Sequence, residues 1–305
     1  LLEQILVRAE VEELRANPNR NARGTAKNRS RANEKGFGSL ADKKTLSYGV
    51  EKRSIWIKNA EQAKKIGRDI GKYITFDARE DIYADKYAEN YLAKQIATAI
   101  KDLVGITKRT SPVLVAGLGN RLIVSDSLGT RCVEKLHVTR DLNASSLQSV
   151  CALSTGVSGM TGMQSAEIIG GVVSKIKPCA VILVDSLATS MAKRLGRSFQ
   201  ISSAGIAPGS GVGLDKERID KSTLGVPTIS IGVPMMLALR TAIYSFIKDY
   251  ASKQDGAIDE FSLRERLKEE SLSNLVVAPK DVDFLVEKAS TVVAHAIELA
   301  FGINV

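Results

Sequence analysis

Two aspartates carry the chemistry that most narrows what this chain does. Asp126 follows the run Val113-Leu114-Val115-Ala116-Gly117-Leu118-Gly119-Asn120 by a short loop, and Asp185 closes the run Ala180-Val181-Ile182-Leu183-Val184. Both runs read as short, continuously apolar strands buried in a parallel sheet. In an open α/β sheet, ligands bind in the crevice at the carboxyl ends of such strands. Two carboxylates on one crevice cannot both ionise freely, so one pKa rises and a proton is shared. Such a pair can deprotonate a water for attack on a carbonyl and then protonate the leaving amine, or it can hold a metal. Taken singly, each aspartate reads more simply as a helix cap, Asp126 for the helix after it and Asp185 for a helix over 187–195. The pairing, with glycines that admit backbone to the same crevice, favours the chemical reading.

Other chemistries fit less well. The Gly-rich stretch 155–162 precedes a helix but lacks the Gly-Lys-Ser/Thr ending of a phosphate loop, and Gly117-x-Gly119 runs into Asn120 and Arg121 rather than a dinucleotide fingerprint. Ser125, Ser127 and Ser186 flank the aspartates, but no G-x-S-x-G elbow is present. The two histidines, His137 and His295, fall in a strand-like piece and in the last helix, away from these loops, which weighs against a Ser-His or a His-metal site.

The elements that position the aspartates follow from periodicity and breakers. Residues 1–14 form an amphipathic helix through Leu1, Ile5, Leu6, Val11 and Leu14, followed by a basic arm to about residue 42. Strands are expected at 54–57, 73–76, 113–118, 136–140, 180–185, 199–201 and 228–233, the last stopped by Pro234. Helices are expected at 81–104, about 126–136, 164–177, 187–195, 235–250 and 280–301. A second Gly-rich loop spans 204–213, and 252–273 reads as a charged excursion. Strands alternating with helices imply an α/β fold with a mostly parallel central sheet covered on both faces. The domain reading is a single α/β unit over 51–305, with 1–50 as an N-terminal helix and arm.

The chain has 305 residues, 44% hydrophobic, which suffices for a sizeable core. No apolar run reaches membrane-spanning length, and no secretory signal is visible. Three cysteines with no C-x-x-C pair suit free thiols in a reducing cytoplasm. The net charge of +9 raises a nucleic-acid partner. Much of that charge lies between Arg15 and Lys35, where Arg15, Arg20, Arg23, Lys27, Arg29, Arg31 and Lys35 face one acid, Glu34. A solvated arm is the favoured reading of that stretch, and nucleic-acid contact through it the lesser one.

Longer motifs are more specific. The block Ser154-Thr155-Gly156-Val157-Ser158-Gly159-Met160-Thr161-Gly162-Met163-Gln164-Ser165-Ala166-Glu167-Ile168-Ile169, running on to Lys175-Ile176-Lys177-Pro178, closely resembles the spore germination proteases. So do Gly117-Leu118-Gly119-Asn120 with Asp126 and Leu128-Gly129, Val138-Thr139-Arg140, Val184-Asp185-Ser186-Leu187-Ala188, Gly205-Ile206 with Pro208-Gly209-Ser210-Gly211-Val212-Gly213, Thr223-Leu224-Gly225-Val226-Pro227, Ile231-Gly232-Val233-Pro234 and Asn274-Leu275-Val276-Val277 with Pro279-Lys280. The resemblance covers roughly residues 50–300. It implies a three-layer α/β/α fold related to the hydrogenase-maturation endopeptidases. It implies an endopeptidase that degrades small acid-soluble spore proteins at germination, in the cytoplasm of the spore core. It also implies an aspartic-type dyad at Asp126 and Asp185, a homotetramer, and a zymogen that trims its own N-terminus.

On that resemblance, the backbone around Gly117, Gly119, Asn120, Thr155, Gly156, Gly159, Thr161, Gly162, Gly205, Pro208, Gly209, Ser210 and Gly211 binds an extended substrate or supports the dyad. No cofactor is expected. The family has been placed among metallopeptidases as well as aspartic ones, so a divalent metal at Asp126 and Asp185 stays open. Ser203 and Ala207 stand where the family often has Asp and His, which weighs against metal. The alternatives are a maturation-type protease that senses a metal on its client, and an inactive relative that binds nucleic acid through the basic arm.

Overall fold

The computed structural model describes residues 41–105, 111–142, 148–208, 217–253, 259, 262–263, 266–267 and 275–303. The N-terminal helix, the basic arm 15–35, most of the excursion 252–273, and Gly209, Ser210 and Gly211 lie outside the described residues. The strands are β1 (Ala41–Thr45), β2 (Glu51–Ile57), β3 (Gly71–Asp77), β4 (Val113–Leu118), β5 (Val150–Gly156), β6 (Ala180–Thr189), β7 (Ser198–Ser202), β8 (Thr228–Ala238) and β9 (Val276–Val277). The helices are α1 (Ala60–Ile66), α2 (Lys86–Val104), α3 (Leu128–Lys135), α4 (Ser158–Thr161), α5 (Ser165–Ile176), α6 (Lys221–Leu224), α7 (Leu239–Lys253) and α8 (Val282–Phe301).

One sheet runs β1-β2-β3-β7-β8-β6-β4-β5, with β9 paired to the far end of β8. The sheet is mixed. Strands β8, β6, β4 and β5 are parallel, while β1, β2, β3 and β7 form an antiparallel wing that joins at β7–β8. Strand β1 belongs to that wing although it precedes residue 51.

Three layers follow from strand alternation. Val113, Val115, Ile182, Val184, Ile229 and Ile231 pack in one core with α2, α3 and α8. Leu114, Ala116, Leu118, Val181 and Leu183 pack in a second with Ile169 and Val173 of α5. Coverage on both faces is why β4 and the first half of β6 carry no polar side chain. The long helices begin and end on recognisable signals. Asp85 accepts from the Tyr87 amide at the start of α2, and left-handed Gly302 closes α8. The Asp85 cap also splits the expected 81–104 helix into a 3₁₀ turn at Ile82–Ala84 and α2 proper.

Four expectations are corrected. There is no helix over 187–195: β6 continues to Thr189 because β8 keeps pairing with it as far as Thr189↔Leu237, and only a 3₁₀ turn follows at Ala192–Arg194. Pro234 does not stop β8. Its carbonyl accepts from Gly196 N–H at 2.7 Å on the side away from β6, so its missing N–H costs the β6 ladder nothing and the strand runs to Ala238. The helix expected from 235 therefore starts at Leu239. Residues 136–140 make turn contacts rather than a strand, with the Thr139 and Arg140 amides both bonded to Val150 O. The strands not expected are β1, β9 and β5, and the end of β5 takes up Thr155 and Gly156.

Candidate active site

The parallel strands end level with one another. Across the ladders Gly156 stands beside Leu118, Gly117 beside Val184, and Asp185 beside Gly232. Asp185 therefore sits where β4 stops, but in the middle of β6 rather than at its end. It is 7% exposed. Alternation puts it on the α5 face with Val181 and Leu183, and Leu187 follows on the same face, lying over Gly232. A Cβ at Gly232 would come within 2.5 Å of Leu187 Cδ1. Hence Gly232 makes room for an apolar side chain two residues along from the carboxylate. With no helix at 187–195, Asp185 caps nothing there.

Asp126 is the last residue of a 3₁₀ turn, Val124–Asp126, that packs against β6, β8 and α8. The turn that carries one aspartate thus rests on the strand that carries the other. Three features hold it. The Asn120 amide donates to Asp126 Oδ2 at 2.8 Å. Gly119, at φ 99°, lies so close that a Cβ there would meet Asp126 O at 2.0 Å and Oδ1 at 3.1 Å. Finally, Gly117 and Gly129 let β4 and α3 touch: a Cβ on Gly129 would come to 2.3 Å from Val184 O and 2.5 Å from Leu118 N. The N-cap of α3 is Ser127, which makes no side-chain cap bond. The Leu128 amide instead donates to Ser186 Oγ at 3.3 Å, across from β6. The residue after Asp185 therefore anchors the helix that starts two residues after Asp126. The sequence alone marks Ser186 only as a serine beside an aspartate and gives no site role to Gly129, Leu187 or Gly232; the one signal they share is their place inside or beside the two aspartate blocks.

The remaining expected site residues divide. Gly119 and Asn120 touch Asp126, and Gly117 packs against Gly129 of α3. Gly205 lies on the α5 side of the sheet, its carbonyl accepting from Ser230 Oγ at 3.1 Å, and Ser230 pairs with Leu183 two residues before Asp185. Its loop is closed by the mutual Ile206–Ile219 bridge, with Pro208 just beyond it. The 155–162 segment starts beside Leu118 but spends its polar groups on itself. Thr155 Oγ1 bonds Gly156 O and Ser165 Oγ, Thr161 Oγ1 bonds Val157 O and Met163 O, and left-handed Gly162 ends α4. Gly159 sits exposed within α4. The amino end of α5 is closed by Glu167, which accepts from the Gln164 amide at 2.6 Å. These residues behave as turn and cap.

Donors for a metal do not gather here. Among the described residues no group of three or more His, Cys, Asp or Glu could hold one. His137 lies past the carboxyl end of α3, the end away from Asp126, with Nδ1 2.7 Å from Glu298 Oε1; His295 Nδ1 is 4.0 Å from Glu298 Oε2. The three cysteines are free thiols. Burial pushes the Cys132 thiol far up and raises Cys151 and Cys179, which suits structural rather than reactive sulfur. No helix among the described residues is long and apolar enough to cross a membrane.

Comparison with known proteins adds an independent finding. The family model described as germination protease matches residues 16–260. A germination protease of Clostridium perfringens is 31% identical over 290 residues, covering 88% of this chain and 89% of its own. One of Caldanaerobacter subterraneus is 36% identical over 275 residues, covering 83% and 85%. Among solved structures, the NiFe hydrogenase maturation protease HycI of Thermococcus kodakarensis is similar at 16% identity and a TM-score of 0.38, over 66% of this chain and 99% of that one.

Proposed function

The chain belongs to the germination protease family, and from that premise we propose that it is an endopeptidase that hydrolyses small acid-soluble spore proteins with an Asp126–Asp185 dyad. The observation that carries the site assignment is the packing of the Asp126 turn on β6, the strand of Asp185. In this reading one carboxyl is protonated and the other is not. The ionised one takes a proton from water as the water oxygen attacks the scissile carbonyl carbon, while the protonated one donates to the carbonyl oxygen. Collapse of the tetrahedral intermediate breaks the C–N bond: the proton gained from water passes to the leaving amine, and one hydroxyl of the intermediate returns its proton to the carboxylate that had donated, which leaves the acid product and restores the singly protonated dyad. Buried Asp185, with Leu187 beside it, supplies the low-dielectric surroundings in which a shared proton is favoured over two charges. The donor set gives no support to a metal-bound water, and no step here is routed through one. The same resemblance brings with it a homotetramer, a spore-core location and a self-trimmed N-terminus, all part of this proposal.

The test is cleavage of a purified small acid-soluble spore protein followed by mass spectrometry. Asp126→Asn and Asp185→Asn should each abolish cleavage with the circular dichroism spectrum unchanged, and a chelator should leave the wild type active. Undiminished cleavage by either variant sinks the dyad; loss of activity on chelation replaces it with a metal mechanism.

A further inference from the structure

Strand β6 outruns its neighbour. Its pairing with β4 ends at Val184↔Gly117, whereas its pairing with β8 continues to Thr189↔Leu237. Beyond Val184 the chain of β4 has turned away through Gly119 into the segment that ends at Asp126. That segment is tied into itself, through Ile123 N to Asn120 O, Asp126 N to Ile123 O and Ser127 N to Val124 O. Just after it, at the start of α3, the Leu128 amide bonds the Ser186 side chain rather than its main chain. Among the described residues, no backbone–backbone bond reaches Ser186, Leu187, Ala188 or Thr189 from outside the β6–β8 ladder. Leu187 and Ala188 are partly exposed, and Ser186 and Thr189 are buried, at 9% and 7% exposure. The sheet therefore has an open edge in its interior, starting one residue after Asp185.

We propose that this Ser186–Thr189 edge is where the substrate docks, as an extended polypeptide added to β6 by main-chain hydrogen bonds. The inference rests on the proteolytic reading above. Four strand residues span about 13 Å, enough to hold about four residues of an extended chain. An exposed strand edge offers unsatisfied N–H and C=O groups at every second residue, and an extended peptide matches that spacing. A strand laid there runs directly past Asp185, so the main-chain bonds set the register of the scissile carbonyl. On the segment leading to Asp126, Leu122 and Ile123 are 75% and 52% exposed. Recognition through the main chain selects for extended conformation over any one side chain. The occupant is thus an unfolded or locally extended segment.

The experiment is hydrogen–deuterium exchange on the full chain carrying Asp185→Asn, to block turnover, with and without purified small acid-soluble spore protein. Amides within Ser186–Thr189 should slow by at least about tenfold on addition. In parallel, wild-type enzyme is given synthetic peptides spanning its mapped cleavage site, each N-methylated at one residue. Methylation at alternate residues should raise KM by about tenfold or more, with the residues between them tolerated. Cleavage without protection of this edge, or a flat N-methyl profile, overturns the inference and leaves the proteolytic reading standing. Protection by a spore protein that the wild type never cleaves does the reverse. Protection that grows with enzyme concentration alone assigns the edge to a second copy of this chain and overturns the inference.

Discussion

The two halves of the sheet treat buried charge differently. In the antiparallel wing, Glu51 and Asp77 are direct cross-strand partners, which alone would be repulsive. Arg53 sits between them, 2.8 Å from Glu51 and 3.3 Å from Asp77. Ser198 Oγ donates to Asp77 Oδ1 at 2.6 Å, and nearly buried Arg194 lies 3.8 Å from the same oxygen. Hydrogen bonds from Arg53 and then Lys43 hold Glu51 below its ordinary value. Charge there cements three strands. In the parallel half, β4 and the first five residues of β6 are wholly apolar, and the first charge met along β6 is Asp185, at the level where β4 leaves the sheet. In the proposed mechanism the charge placed where a ladder opens does the chemistry, whereas charge placed within the closed ladder of the wing is spent on structure.

The largest expected effects test that contrast with one substitution made twice. Asp185→Asn should lower kcat by about 10²–10⁴ while thermal unfolding stays near that of the wild type. Asp77→Asn should do the opposite, costing about 1–2 kcal/mol of stability because buried Arg194 loses its counter-charge while Arg53 keeps only Glu51, with cleavage per folded molecule unchanged. Activity assays normalised to folded protein, beside denaturant melts, read both. If Asp77→Asn lost activity without losing stability, the division between the halves would be wrong.

Next in size is Gly129→Ala. Its new Cβ would collide with backbone of both β4 and β6, so α3 must lift, at about 1–3 kcal/mol. The Asp126 turn precedes α3 directly, and cleavage should fall by more than the loss of folded enzyme explains. A matched substitution in the wing, Trp56→Ala on an exposed face of β2, should leave cleavage unaltered.

Much of the parallel half was legible because fully buried strands have few ways to be written. Val113–Leu118 has the expected bounds, and 180–185 is right as far as its apolar run extends. The continuation past Asp185 was hidden: Ser186-Leu187-Ala188-Thr189 carries no breaker, and only the partner β8, read as stopped by Pro234, shows that the strand continues. A proline ends a strand only when its missing N–H faces a neighbour, and a single sequence does not reveal which side each residue faces. Strand β5 is obscured by the glycines at its end; β2, β3 and β7 are legible as strands, but β1 and the antiparallel pairing of the wing are not, because the wing lies apart from the βα alternation. At the proposed site, the flanking motifs single out the two aspartates as candidates. The close contacts through Gly129 and Gly232, and the Ser186 anchor on α3, depend on which strands become neighbours.

A smaller effect concerns the flank of Asp185. Gly232→Ala places a methyl group against Leu187, a flexible side chain that can shift away, so cleavage should drop only a few-fold, about 1 kcal/mol in kcat/KM. Leu187→Ala in the same chain should restore part of the loss by returning the space. If the double variant is no better than Gly232→Ala alone, the methyl group acts by another route than displacing Leu187 beside the carboxylate.

The smallest effect lies at the seam where wing and parallel half meet. Arg218 bridges them, donating from Nη1 to Asp69 Oδ2 at 2.7 Å, from Nη2 to Ala204 O at 2.7 Å and from Nε to Asp220 Oδ2 at 3.1 Å. Burial pushes the Asp220 carboxyl up, but hydrogen bonds from Ser222, Arg218 and the Thr223 and Ser222 amides outweigh it and hold the group below its ordinary value. A depressed carboxyl stabilises the fold above its unfolded value, and that contribution is lost as pH falls through the lower folded value. Arg218 is 38% exposed, so solvent screening limits the pair to no more than about 1 kcal/mol. Amide exchange at Ile206 and Ile219, corrected for the intrinsic pH dependence, should therefore speed up only in strongly acid solution. In Asp220→Asn it should already be faster at neutral pH and show no further acid step. An acid step that survives in Asp220→Asn would place the seam's titration on another group and leave Asp220 as a cap of α6 alone.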